Sequence, residues 1–451
     1  MDLSNFRASF SGGGSKHHSD LKNSLIKLFK GTVDKFLQVE SLFGLILKQC
    51  TKQNSVTVCW NSEEKRMSTV NNEELKKIRY KSYVYSMSAL AIMLQILFHE
   101  FVANLKIRQE NILIQILTAY TIILVPVSLA YVKVCVTRAS ELISFINGLF
   151  YLKNSSQENS SPQKNTAWHS NPLQKINVLF AWGLFIFLRA FPAMIVFGFH
   201  LDNPCKSTLL GWWALPECFS NDFSQFNGNL ILKVLMGLPK FGVLFINYLI
   251  YSHGFICICF GMNAINILGV LMLQKNLQRL VSSSHQLQYM KNSSIGMVYR
   301  ELQLLAILGN LILQNSLLIV VVATIFSASI SSTVLIQIEL TSMNIVATVF
   351  FLINGLGSMV FLTICVGGVM VPINARSKEF LENCKRQRCY DHTSLVTSEF
   401  RLTQRWLVKF FKSCVPLKTK LGESNFLENL TPLRCIDSVF QITIQLLLLT
   451  K

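Results

Sequence analysis

Charge is scarce in this chain, and acid is scarcer than base. Only 15% of its 451 residues are charged, 24 Asp and Glu against 42 Lys and Arg. With 51% hydrophobic residues and a mean hydropathy of +0.40, that excludes an ordinary soluble protein. The net charge of +18 does not point to nucleic acid. Its basic residues lie between apolar blocks, where they set orientation and meet anionic headgroups. The polar N-terminus, MDLSNFRASFSGGGSKHHSD, lacks the apolar core of a cleavable signal peptide, so the first span is expected to do the targeting. Catalytic constellations are lacking too: there is no His-x-x-x-His pair, no Gly-x-Ser-x-Gly and no phosphate-cradling loop. Cys257 with Cys259, and Cys384 with Cys389, have no partners at zinc spacing. No enzyme, metal or cofactor is therefore expected, and internal repeats of the transporter kind are missing.

What is present is apolar residues in long blocks, the mark of several membrane-spanning helices. The expected fold is all-α, a polytopic membrane protein with an N-terminal region (1–80) and a seven-helix domain (81–451). Residues 21–47 repeat apolar positions every three or four, with lysines opposite at Lys22, Lys27, Lys30 and Lys35. That describes an amphipathic helix able to lie on a membrane surface, with a turn at Phe43-Gly44 dipping toward the bilayer. Residues 50–80 read as a polar loop. The spans are expected at about 83–102, 112–135, 176–199, 230–260, 304–330, 344–371 and 430–449, with Pro126 in the second and a kink near Pro239 in the fourth.

Loop charge gives the orientation. Roughly 33 Lys and Arg fall in residues 1–80, 133–175, 262–305 and 373–428, against roughly 3 in the alternate loops. The N-terminus should be cytoplasmic and, after seven spans, the C-terminus outside. This is the inverse of a G-protein-coupled receptor. Asp-Arg-Tyr after the third span and Asn-Pro-x-x-Tyr in the seventh are both missing. Cys205 and Cys218 occupy the large outer loop, where a disulfide or two buried thiols would both fit. Sequons beginning at Asn154, Asn159, Asn292 and Asn429 all lie on the inner side and should carry no glycan.

Ionisable and aromatic residues within the spans are the candidate contacts. Arg189 is mid-span, where it serves as an ion-pair member or touches ligand. Lys240, Tyr83, Tyr120 and Tyr248 could add polar points to an aromatic pocket for a small molecule, with Tyr85 and His253 nearby in the same reading. The last span, Leu430 to Leu449, is mostly apolar yet carries Arg434, Asp437, Ser438, Gln441 and Gln445 within an arc of roughly 100°. Lipid would not accept that stripe, since an aspartate at the bilayer centre costs about 2.5–3.5 kcal/mol. It reads equally as one wall of a hydrated passage or as a helix–helix contact held by side-chain hydrogen bonds.

The stretch Tyr299 to Asn310, YRELQLLAILGN, precedes the fifth span, and FINGL (Phe145 to Leu149) follows the second. With the paired outer cysteines and the inverted orientation, the chain resembles the arthropod gustatory and odorant receptor superfamily. That family's seventh span carries Thr-Tyr, five apolar residues, then Gln-Phe. Here Ser438, Val439, FQITI, Gln445 and Leu446 occupy the window, keeping the glutamine and the spacing. The resemblance implies a ligand-gated, non-selective cation channel for tastants or odorants in the plasma membrane. Four subunits, alike or mixed, would place their last helices around one pore, with the pocket in the outer half. Gln445 and Ser438 inherit pore positions from the motif, and Asp437 and Gln441 join them by helical geometry. Rival readings are a small-solute transporter using Arg189 and Lys240, and a non-conducting membrane scaffold.

Overall fold

The computed structural model describes residues 39–52, 56–61, 63–64, 66–98, 112–158, 172–193, 230–285, 292–337, 345–390, 409–423 and 425–449, with single positions at 196, 210 and 406. Cys205 and Cys218 lie outside the described residues, as does the amphipathic stretch before residue 39.

The architecture is a helical bundle with two short hairpins. The helices are α1 (Val39–Lys52), α2 (Asn72–Phe98), α3 (Ile112–Thr137), α4 (Ala139–Glu158) and α5 (Pro172–Ala193). They continue as α6 (Leu230–Cys259), α7 (Val270–His285), α8 (Asn292–Gln337), α9 (Ile345–Val360), α10 (Pro372–Tyr390) and α11 (Thr431–Leu449). Two π-helical turns, Phe260–Gly269 and Phe361–Met370, join α6 to α7 and α9 to α10. Strands β1 (Val58–Asn61) and β2 (Arg66–Thr69) pair antiparallel, as do β3 (Lys420–Leu421) and β4 (Asn425–Phe426).

Helix covers most of the described residues of the seven apolar segments. Among the described residues four runs are long and apolar enough to cross a membrane: Ala119–Thr137, Leu238–Val281, Ile295–Gln337 and Thr348–Lys385. The segments on α2, α5 and α11 are shorter or more polar. The fourth helical run does not stop near Phe260, because it continues unbroken to His285 through the first π segment. Helix α8 has 46 residues, about 69 Å, twice what a hydrocarbon core needs, and so must project beyond it.

The N-terminal region differs most from expectation. The described residues between 50 and 80 include the end of α1, the β1–β2 strands and the first turns of α2, where a loop was expected. Helix α1 runs straight through Phe43-Gly44 with no turn. Its apolar residues Leu42, Phe43, Ile46 and Leu47 are buried against the bundle. Phe43 and Phe150 pack at 5.6 Å between ring centroids, and Trp60 and Phe150 at 5.0 Å. An apolar face buries against protein as readily as against lipid, and here aromatic partners on β1 and α4 receive it.

Two sequence segments that carried the family resemblance interlock. Within FINGL, the Asn147 side chain accepts from Met67 N at 2.7 Å and donates to Met67 O at 2.9 Å, standing in for a neighbouring strand at the β2 edge. A Cβ on Gly148 would lie 2.5 Å from Leu305 Cδ2, and one on Gly309 would lie 3.0 Å from the Phe145 ring. Each stretch thus supplies a glycine for the other's side chain, allowing close approach where lipid gives no hydrophobic drive.

Candidate functional site

Five helices enclose a cavity of about 320 Å³ within the bundle. Phe180 and Phe187 of α5, Phe255 of α6, and Met262 and Phe361 of the π segments make its apolar wall. Polar atoms gather on one side, from Tyr120 of α3, Thr324 and Ser327 of α8, and Asn354 and Ser358 of α9. A mostly apolar chamber with a few convergent polar groups is the form small-molecule sites take. A small void of about 20 Å³ adjoins it and shares Tyr120, Leu124 and Phe255.

Tyr120 organises the polar side. Its hydroxyl lies 3.0 Å from Ser327 O, a distance at which it donates, and it also shares a hydrogen bond with Ser331 Oγ. It accepts from Asn354 Nδ2 at 2.5 Å. The same amide reaches Ser327 Oγ at 2.7 Å and Ser331 Oγ at 3.2 Å. One hydroxyl proton and two amide protons thus face more acceptors than they can satisfy together. The network can therefore redistribute without breaking, joining α3, α8 and α9.

Of the five pocket candidates read from the sequence, Tyr120 is the one that lines this cavity. Tyr83 is 64% exposed on the outside of α2. Arg189 is exposed on α5, with no ion pair among the described residues, and Lys240 and Tyr248 are half-buried on α6 away from the chamber. Asn354 and Ser327 were not anticipated. Neither is ionisable or aromatic, and nothing in sequence distinguishes them from other serines and asparagines in apolar helices.

Helix α11 presents the second candidate surface. Cys435, Val439 and Thr443 are buried, Val439 to 3% exposure, facing α8 and the second π segment. Turned away from the protomer are Arg434, Asp437, Gln441 and Gln445, with Ser438 half-buried at their edge. Gln441 Nε2 donates to Asp437 Oδ2 at 2.9 Å, and Ser438 Oγ to Arg434 O at 2.9 Å. Beside this polar row runs an exposed apolar one, Leu433, Phe440, Ile444 and Leu448. The protomer therefore uses one third of the helix and leaves two chemically distinct strips uncovered.

Cavity and last helix meet through α8. Ser327 and Ser331, one turn apart, face Tyr120, while Ser329 lies about 200° round the helix from Ser327. Ser329 Oγ is fully buried and shares its one proton between Ile325 O of its own helix at 2.9 Å and Val439 O of α11 at 3.2 Å.

The segment entering α11 is stitched to the N-terminal half of α8 by the residues of the YRELQLLAILGN stretch. Gln303 Nε2 donates to Val415 O at 2.6 Å; Tyr299 OH lies 3.2 Å from the same carbonyl and 2.7 Å from Ser377 Oγ of α10, which accepts from Leu417 N at 2.7 Å. Asn310 Nδ2 donates to Lys418 O at 2.7 Å, and its Oδ1 accepts from Lys420 N at 2.9 Å. Gly422, at φ 73°, turns the β3–β4 hairpin so that its N–H reaches Gln314 O at 2.8 Å.

No family model matches the chain, and no curated protein matches it. Solved structures do. The insect olfactory receptor OR5 from Machilis hrabei in complex with eugenol superposes with a TM-score of 0.55 at 10% identity, over 92% of this chain and 100% of that one. A structure of the same receptor described without eugenol gives 0.52 at 11% identity, over 94% and 98%. At such identity the likeness speaks for architecture, and it extends over nearly the whole of both chains. The chain has the fold of the insect olfactory receptor OR5.

Proposed function

We propose that this protein is a chemosensory receptor that opens a non-selective cation pore when a small molecule binds. In this reading it spans the plasma membrane seven times, N-terminus inside and C-terminus outside, and works as a homo- or hetero-tetramer. The observation that carries the proposal is the outward placement of Arg434, Asp437, Gln441 and Gln445 on one face of a helix whose other exposed strip is apolar. A carboxylate and two amides facing acyl chains would be costly, so other subunits and water must cover them. Four copies of the row around an axis make a polar pore with a carboxylate ring that favours cations. The apolar strip beside it, Phe440 and Ile444 included, would pack on the neighbouring subunit.

The cavity suits a compact, largely apolar ligand with one hydrogen-bonding group, as eugenol is for the receptor of like fold. Such a group would compete for Tyr120 and Asn354 and redistribute the bonds to Ser327 and Ser331. Ser329, on the opposite face of the same two turns, would pass the shift to α11, biasing two helix arrangements. Arg189 and Lys240, which a transporter would use for substrate, do not line the cavity.

Expression in oocytes tests the proposal. Ligand-evoked cation current is expected, and Asp437→Lys should lower preference for cations over anions. Unchanged selectivity in that variant would remove Asp437 from the pore.

A further inference from the structure

Outside the ligand cavity, a groove of about 400 Å³ lies between α2 and α6 on the outer surface of the bundle. Its two ends differ in chemistry. Val84, Leu249 and Ile250 line one part, whereas Tyr80, Lys81 and His253 line the other, with Ile256 one turn beyond His253. Lys81 is exposed and Tyr80 is 70% exposed, while His253 is held at the groove wall by Ser82 Oγ at 3.5 Å. Lys77 lies one turn before Lys81 on the same face of α2, and Lys76 and Arg79 flank it, all exposed. The acids at this helix end, Glu73 and Glu74, sit in the first turn, beyond Lys77 from the groove.

Both walls put the basic end at one membrane surface. The first apolar segment begins next to Tyr83, two residues past Lys81. On α6 His253 stands level with Ser82, one residue past Lys81, so the same end of the groove meets that surface. With the orientation proposed above, on which this inference rests, that surface is cytoplasmic. Tyr80 and Tyr83 then stand at headgroup depth, where tyrosines collect.

We infer that this groove is a binding site for an anionic glycerophospholipid of the cytoplasmic leaflet, its phosphate held by Lys77 and Lys81 and an acyl chain lying along Val84, Leu249 and Ile250. A cationic cluster that opens onto an apolar channel matches an amphiphile of that charge. A soluble phosphate would leave the apolar part unused, and a zwitterionic lipid would leave the lysine charge uncompensated. Tyr85 and Ile250 line the groove and also the small void next to Tyr120, so a lipid seated here packs on the wall of the ligand cavity.

The test is native mass spectrometry of the purified full chain in detergent with added dioleoyl phosphatidylserine, phosphatidylinositol 4-phosphate or dioleoyl phosphatidylcholine. Anionic adducts should outnumber phosphatidylcholine adducts. The K77Q/K81Q double variant should reduce them by about fivefold per lysine removed. Leu249→Trp, which fills the apolar part, should reduce them as well, and Lys133→Gln, exposed elsewhere on α3, should not. Matching thermal stability of each variant to the wild type separates loss of lipid from loss of fold. Equal adducts with phosphatidylcholine, undiminished anionic adducts in K77Q/K81Q, or full displacement by soluble inositol phosphate would overturn the inference. Lipid selectivity without any ligand-evoked current would count against the channel alone, because binding in micelles does not require conduction.

Discussion

Tyr120 is where residue chemistry has the widest reach. Its hydroxyl contacts two helices besides its own, and removing it leaves the Asn354 amide and Ser331 to re-pair in a buried setting. Tyr120→Phe should therefore destabilise the purified protein by about 1–3 kcal/mol, read as a lowered thermal midpoint. It should also displace the concentration–response curve of any activating ligand. An unchanged curve would place the ligand elsewhere. Glycines make the complementary case. A methyl group on Gly261 would overlap the Tyr131 ring, which is fully buried and accepts from Asn266 Nδ2. Gly261→Ala should cost about 1–3 kcal/mol, and Tyr131→Ala in the same chain should relieve part of the overlap. Purely additive losses in the double variant would show that the contact does not limit packing. Sequence reading singled out Tyr120 as a polar point in an apolar span. It passed over Asn354, Ser327 and Ser329, whose importance comes from which helix each one faces.

Among elements, α8 and α11 decide the mechanism. Helix α8 holds the cavity network on one face and α11 on the other, and its N-terminal half anchors the segment leading into α11 through Gln303 and Asn310. Asn310→Ala removes a donor and an acceptor that together hold Lys418 and Lys420. Limited proteolysis should then cut residues 414–428 faster than in the wild type, with little change in overall helicity. Equal cleavage rates would mean that Gly422 and Gln303 suffice to hold the segment. The stretch YRELQLLAILGN was legible as a resemblance before its role was. Its Tyr, Gln and Asn share a helix face, which periodicity gives, but the partner segment lies more than a hundred residues away. Similarly, the arc formed by Asp437, Gln441 and Gln445 could be drawn from 100° steps alone. Whether it met the protomer or faced away depended on which other third of α11, the Val439 side, found a closer fit against α8.

For the whole molecule, the uncovered strips of α11 lead to an oligomer. In mild detergent the chain should run at about four times its 51.1 kDa mass by light scattering. Paired charge substitution on the apolar strip, Phe440→Glu with Ile444→Glu, should shift it toward monomer, and a monomer in the unmutated chain would remove the shared pore. The orientation has its own check: a glycan at Asn429, exposed ahead of α11, would reverse the topology.

The amino-acid sequence by itself determined that this is a helical membrane protein, because long apolar blocks and the placement of lysine and arginine act through the bilayer and need no knowledge of contacts. It determined the polar arc of the last helix for the same reason, since helical periodicity is local. Tertiary structure alone decided that α1 buries its apolar face in the bundle, that Asn354 completes a chamber begun by Tyr120, and that the arc of α11 looks away from its own subunit. Each of these depends on distant segments meeting at a particular rotation, and a helix's rotation is set by the packing of its neighbours.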